Sequence, residues 1–134
     1  MRFLLAFVIA LSYCSAVLGC TVKPLCSGNY LHAVTKPNAP PQTTNGCGAS
    51  GKFGGLVPEY KFRSCCNAHD LCYGSCGSQK STCDSNFYNC NKSKCSWWDV
   101  SCKGLAATYY EAVKNFGCGP FENAQKGRCT CQYN

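Results

Sequence analysis

The chain has 134 residues, a formal net charge of +7, 46% hydrophobic residues and 15 cysteines. That length holds one small domain and excludes a multidomain enzyme. The basic residues are spread rather than blocked, which fits a soluble basic surface and equally an attraction to anionic membranes or acidic partners.

The chain opens with MRFLLAFVIALSYCSAVLGC: one basic residue, an apolar run from Phe3 to Leu11, then small residues. This pattern predicts a secretory signal peptide over residues 1–19. Cleavage after Gly19 is preferred to cleavage after Ala16. The apolar run is too short to cross a bilayer, so no transmembrane span is expected. Residues 20–134 are expected to form a single secreted, extracellular domain, a monomer with a net charge of +6 once Arg2 is lost. Outside the cell a nucleic-acid partner is not expected. Removing Cys14 leaves 14 cysteines, an even number that seven bridges consume. Reading VLGC as a lipidation site at Cys20 would strand one thiol. Zinc binding is the weaker alternative in an oxidising compartment.

Residues 20–46, rich in Pro, Thr and Asn, show no sustained period and read as an irregular, disulfide-tethered arm. Residues 46–58, GCGASGKFGGLVP, hold five glycines, the mark of a loop that turns sharply or approaches a ligand. A helix is predicted from about Glu59 to Tyr73 and a second from Lys80 to Asn91. A third is carried by Leu105, Tyr109, Ala112, Val113 and Phe116 at helical spacing before Gly117. The tail CTCQYN reads as another disulfide-pinned strap. Asn91-Lys92-Ser93 is a glycosylation sequon.

CCNAHDLCYGSC, residues 65–76, holds four cysteines and one of the two histidines. On a helix Cys65, His69, Cys72 and Tyr73 share a face, and on the next helix Cys83, Asp84, Phe87 and Cys90 do so. The short connection favours an antiparallel pair. If Cys72 lies across from Cys83 and Cys65 across from Cys90, both pairs share one register, and His69 falls within about a helical turn of Asp84. A carboxylate facing an imidazole sets its tautomer and stabilises its protonated form, so that the other ring nitrogen can take a proton from water. A purely structural His–Asp pair competes evenly with that reading.

Asp70 points about a quarter-turn round the helix from His69. The glycine-rich loop lies beside it if Cys47 pairs with Cys66. Backbone carbonyls with a carboxylate make a hard-oxygen site suited to calcium. Alone, Asp70 reads more simply as an exposed aspartate. The His, the two Asp and the loop together favour a calcium-assisted hydrolase.

CCNAHDLCY, residues 65–73, resembles the active-site helix of the secreted phospholipase A2 superfamily, and CDSNFYNC, residues 83–90, resembles its partner helix. The link CGSQKSTCD, the later GCGP and the closing CTCQY are most similar to the group XII branch, and the likeness covers residues 45–134. It implies a mainly α, disulfide-rich fold with two antiparallel disulfide-linked catalytic helices, a calcium loop and a third helix. It implies the bridges Cys47–Cys66, Cys65–Cys90 and Cys72–Cys83. His69 would activate water, Asp84 would orient it, and Tyr73 would hydrogen-bond Asp84. Asp70 would bind Ca2+ together with the carbonyls of Gly46, Gly48 and Ser50, the set obtained by anchoring the loop on Cys47. Counting back from His69 nominates Ala49, Gly51 and Phe53 instead. The implied reaction is hydrolysis of the sn-2 ester of glycerophospholipids at a membrane or micelle surface, with calcium and a loop N–H stabilising the oxyanion. The short link implies that the β-wing of better-known branches is missing, and the N-terminal arm lacks their amphipathic helix.

A reading from a different class is a catalytically weak toxin or receptor-binding protein on the same scaffold. Intact His69, Asp70 and Asp84 favour the enzyme, and the irregular loop favours the binder. A protease-inhibitor scaffold leaves the His–Asp register unexplained. Trp97 and Trp98 suit a lipid–water interface, though core packing is the favoured reading. Phe53, Leu56 and Val57 suit an apolar entrance or simple cover for the helices. His32 reads as an ordinary exposed residue, and the Leu105–Phe116 stripe as core.

Overall fold

The computed structural model describes residues 19–28, 31–48 and 60–133. The expected signal peptide up to residue 18 lies outside the described residues, as do Ser50, the alternative loop ligands Ala49, Gly51 and Phe53, and the apolar Leu56 and Val57.

The fold is mainly helical, as expected. A 3-10 turn, Tyr60–Phe62, leads into α1, Arg63–Gly74, followed by α2, Lys80–Ser93, α3, Val100–Phe116, and α4, Cys118–Arg128. Helix α1 buries Cys65, His69 and Tyr73 of the stripe anticipated from spacing, and Cys66 beside them; Cys72 is half-buried, while Arg63, Ser64 and Leu71 stay exposed. Helix α2 buries Lys80, Cys83, Asp84, Phe87 and Asn91 at intervals of three and four. Between them the chain reverses within Ser75–Gln79, a link that carries no strand. Gly77 supplies a φ of 80° there, a conformation that a side chain would strain.

The carbonyls at the end of α1 are satisfied by α4. Gln125 Nε2 donates to Tyr73 O at 2.7 Å and Ser75 O at 2.8 Å, and Arg128 Nε donates to Gly74 O at 3.1 Å. Helix α4 was not expected from the sequence, because GCGPFENAQKGR has too few apolar residues to show a period. Its amphipathic face is Cys118, Phe121 and buried Gln125, and the last is polar. Helix α3 starts at Val100 rather than Leu105, where Asp99 Oδ1 accepts the Cys102 N–H at 2.9 Å as an N-cap. Its stripe is core at Ala106 and Tyr109, but Ala112 and Phe116 are exposed.

The arm is not wholly irregular. Leu31–Thr35 forms β1, which pairs antiparallel with β2, Cys129–Tyr133, in the register Leu31↔Tyr133 to Thr35↔Cys129. His32 on β1 is exposed, as expected. Beyond β1 the arm runs along α1 towards its N-terminus. Arg128 Nη1 donates to Pro40 O, and Gln42 Nε2 to Leu71 O at 3.2 Å.

The cysteines from Cys20 onward form seven disulfides: 20–118, 26–131, 47–66, 65–90, 72–83, 76–129 and 95–102. The three expected from resemblance are among them. Phe62, Phe87, Ala106 and Tyr109 pack with the sulfurs of Cys65, Cys66 and Cys102 as the main core, with the Phe62 and Tyr109 rings edge to face. So small a core depends on such cross-links.

The expectation of core packing for the two tryptophans fails on burial. Trp97 and Trp98 are 85% and 66% exposed rather than packed in the core. Asn91, the sequon asparagine, is wholly buried, with both side-chain polar atoms lacking a partner, so the fold leaves no room for a glycan there.

Candidate functional site

His69 and Asp84 meet across the α1–α2 pair. The disulfides 65–90 and 72–83 fix the register, and His69 Nε2 lies 2.8 Å from Asp84 Oδ1. Both groups are buried. The Tyr73 hydroxyl donates to the same Oδ1 at 2.6 Å. The imidazole lies between the rings of Tyr73 and Phe87, with centroids at 4.1 and 4.6 Å, which restricts its rotation.

Oδ2 of Asp84 has a partner that sequence reasoning missed. Lys80 Nζ lies 2.6 Å from it and also donates to Val113 O at 2.8 Å, near the C-terminus of α3. One ammonium thus neutralises the carboxylate and caps a neighbouring helix. The available signal was the spacing of Lys80 and Asp84, four apart on a predicted helix. Lysine ahead of the acid is the weaker order on an isolated helix, and only α3 makes the pair a buried one.

Burial pushes the Asp84 carboxyl up, but the hydrogen bonds from His69, Lys80 and Tyr73 outweigh it and hold the group below its ordinary value. Tyr73 shifts the other way. Burial and the adjacent Asp84 carboxylate raise its hydroxyl far above the ordinary value, so it remains a donor. An ionised Asp84 assigns the proton of the neutral imidazole to Nε2 and leaves the Nδ1 lone pair unclaimed by any described residue.

Asp70 occupies the next position on α1 and faces the arm. Its Oδ2 accepts the Asn45 N–H at 3.2 Å, and no basic side chain pairs with it among the described residues. Burial raises its carboxyl above the ordinary value, with the Asn45 N–H and His69 offsetting only part of the effect. The arm passes it in order. Asn45 reaches Asp70, the Gly46 N–H donates to Asn67 Oδ1 at 2.9 Å, and Cys47 is bonded to Cys66. Gly46 adopts a φ of 70°, which the turn requires. Gly48 follows, and Ser50 lies outside the described residues. A desolvated carboxylate without a cationic partner among the described residues, beside the backbone of Gly46 and Gly48, is a donor set of hard oxygens that fits calcium.

A model of the family described as "Group XII secretory phospholipase A2 precursor" matches residues 20–134. The chain is 34% identical over 113 residues to the mouse "Group XIIB secretory phospholipase A2-like protein", covering 72% of this chain and 57% of the relative. It is 33% identical over 109 residues to the human "Group XIIA secretory phospholipase A2", covering 69% of this chain and 54% of the relative. The chain thus spans little more than half the length of these curated relatives. No solved structure matches it.

Proposed function

This chain belongs to the group XII secretory phospholipase A2 family and is secreted, and we propose that it hydrolyses the sn-2 ester of glycerophospholipids in a calcium-dependent reaction. The observation that carries this reading is the 2.8 Å contact between His69 and Asp84, with the Asp70 carboxylate, which no described basic side chain pairs, one residue away.

Nδ1 of His69 takes a proton from water as the water oxygen bonds to the ester carbonyl carbon. The same proton then passes to the departing glycerol oxygen as the acyl C–O bond breaks, releasing a fatty acid and a lysophospholipid. Asp84, held ionised by Lys80 and Tyr73, balances the imidazolium formed in between and keeps the ring aimed. Asp70, with the carbonyls of Gly46, Gly48 and Ser50, would hold the calcium ion. Bound calcium supplies a Lewis acid that polarises the ester carbonyl and offsets the charge developing on its oxygen.

The test is fatty-acid release from mixed anionic and zwitterionic vesicles, with calcium and with a chelator. His69→Gln should lower the rate by about 10²–10⁴-fold. If oxidised, folded protein releases no fatty acid from any lipid mixture, catalysis is abandoned and the scaffold is a binding protein.

A further inference from the structure

The six residues Lys94 to Asp99 join α2 to α3 and end in an apolar tip. Trp97 is 85% exposed, Trp98 66% and Val100 80%. Large side chains so far in water are usually explained by slack in a loop or by a surface that something covers. Slack is not the cause here. The Cys95–Cys102 disulfide closes the loop across a separation of 7 residues. Lys103 Nζ donates to Trp97 O at 2.7 Å, the Asp99 N–H to Ser96 O at 3.0 Å, and the Val100 N–H to Trp98 O at 3.1 Å. The backbone is tied down while the indoles stand clear of it.

The charges flanking the tip in sequence are mostly basic. Lys92, Lys94 and Lys103 flank it in sequence. Its single acid, Asp99, is occupied by the helix cap and by Lys61 Nζ at 3.9 Å. Two tryptophans at about 150–250 Å² each fall short of the roughly 800 Å² per partner of a stable protein interface. An exposed indole pair flanked in sequence by lysines suits a lipid–water boundary instead, where the ring sits among headgroups and the lysines meet anionic lipid.

We propose that the Trp97–Trp98 loop is a rigid dock for anionic phospholipid bilayers. The dock extends the phospholipase reading by naming the surface through which the chain meets a membrane bearing its substrate. Its evidence is the pinned, exposed loop, and lipid binding needs no turnover.

Trp97 and Trp98 are the only tryptophans in the chain, so intrinsic tryptophan emission reports this loop alone. The experiment uses oxidised His69→Gln protein, in which hydrolysis is suppressed, with phosphatidylcholine vesicles containing or lacking phosphatidylserine. Emission should shift to the blue and be quenched by brominated lipid with the anionic vesicles, and both effects should weaken with salt. Trp97→Ala/Trp98→Ala should lower vesicle partitioning by at least roughly tenfold. Lys92→Glu and Lys94→Glu should each lower it by about fivefold at low salt.

Vesicle binding without an emission shift would mean that another face docks. Unchanged binding of the double alanine variant, or no binding at all, also overturns the proposal. A blue shift that grows with protein concentration in the absence of lipid would assign the tip to self-association. Wild-type protein that docks as expected yet releases no fatty acid would leave the dock standing and remove the enzyme.

Discussion

Replacing Lys80 with methionine keeps most of the apolar stem and deletes the ammonium. In the native protein that group lies 2.6 Å from Asp84 Oδ2, 2.8 Å from Val113 O and 3.4 Å from Lys114 O. Lys80 is 8% and Asp84 3% exposed, so water does not replace the lost partner. Breaking a buried ion pair from one side costs about 3–5 kcal/mol, because a charge is left without compensation. Asp84 retains donors in His69 and Tyr73, which lowers the expectation to about 2–4 kcal/mol. Against a total stability of roughly 5–15 kcal/mol, that is a large fraction. With a urea dependence of about 2 kcal/mol per molar, the midpoint should fall by roughly 1–2 M in non-reducing urea followed by far-ultraviolet circular dichroism. Removing the carboxylate as well, in Lys80→Met/Asp84→Asn, should recover much of the loss, since the buried charge then disappears with its partner. A midpoint within 0.2 M of wild type (about 0.4 kcal/mol) for the single variant would refute this account. So would a double variant whose loss is simply the sum of the two single losses.

Asp70→Asn should leave the calcium-free protein as stable as wild type or slightly more so, because the charged form of Asp70 is disfavoured by burial. It should also abolish any calcium-induced rise in melting temperature, a readout that does not depend on turnover. Gly117→Ala should cost more than about 3 kcal/mol, since a Cβ there would meet Val113 O, the Tyr73 hydroxyl at 2.5 Å and Lys80 Cε at 3.0 Å. A melting temperature within 2 °C of wild type (about 0.4 kcal/mol for a domain of this size) would contradict that corner packing. The lowered Asp84 carboxyl also predicts a sign for pH. Its contribution to stability is complete above the ordinary carboxylate range and is lost as pH falls through its lower folded value. Acid titration of Asp84→Asn should therefore show a shallower loss of stability than wild type below about pH 4.

The α1–α2 pairing is legible in the sequence itself, because cysteines at helical spacing on two adjacent segments allow few registers. His69, Asp84, Cys65 and Cys90 carry that information locally, and residues three or four apart on a helix must share a face. The proximity of Asn45 to Asp70 is legible only through the possibility of a Cys47–Cys66 bridge. Gly46 and Gly48 follow from that anchor.

Other features depend on partners distant in sequence. β1 is a strand because Cys129–Tyr133 pairs with it, and LHAVT alone is too short a pattern to separate it from its proline-rich surroundings. Helix α4 hides its role in one buried amide, Gln125, whose partners Tyr73 and Ser75 lie about fifty positions earlier. Trp97 and Trp98 read as core because tryptophan usually is, yet a seven-residue disulfide span and an N-cap hold them outward. Lys80 shows the division most clearly. Its spacing to Asp84 is local, but its burial is set by the carbonyls of Val113 and Lys114 on α3. Periodicity and cysteine order determined which groups could face one another across α1 and α2. The docking of α3, α4 and the arm decided which of those groups lost water: burial raises the carboxyl of Asp70 and the hydroxyl of Tyr73, while at Asp84 the hydrogen bonds outweigh it.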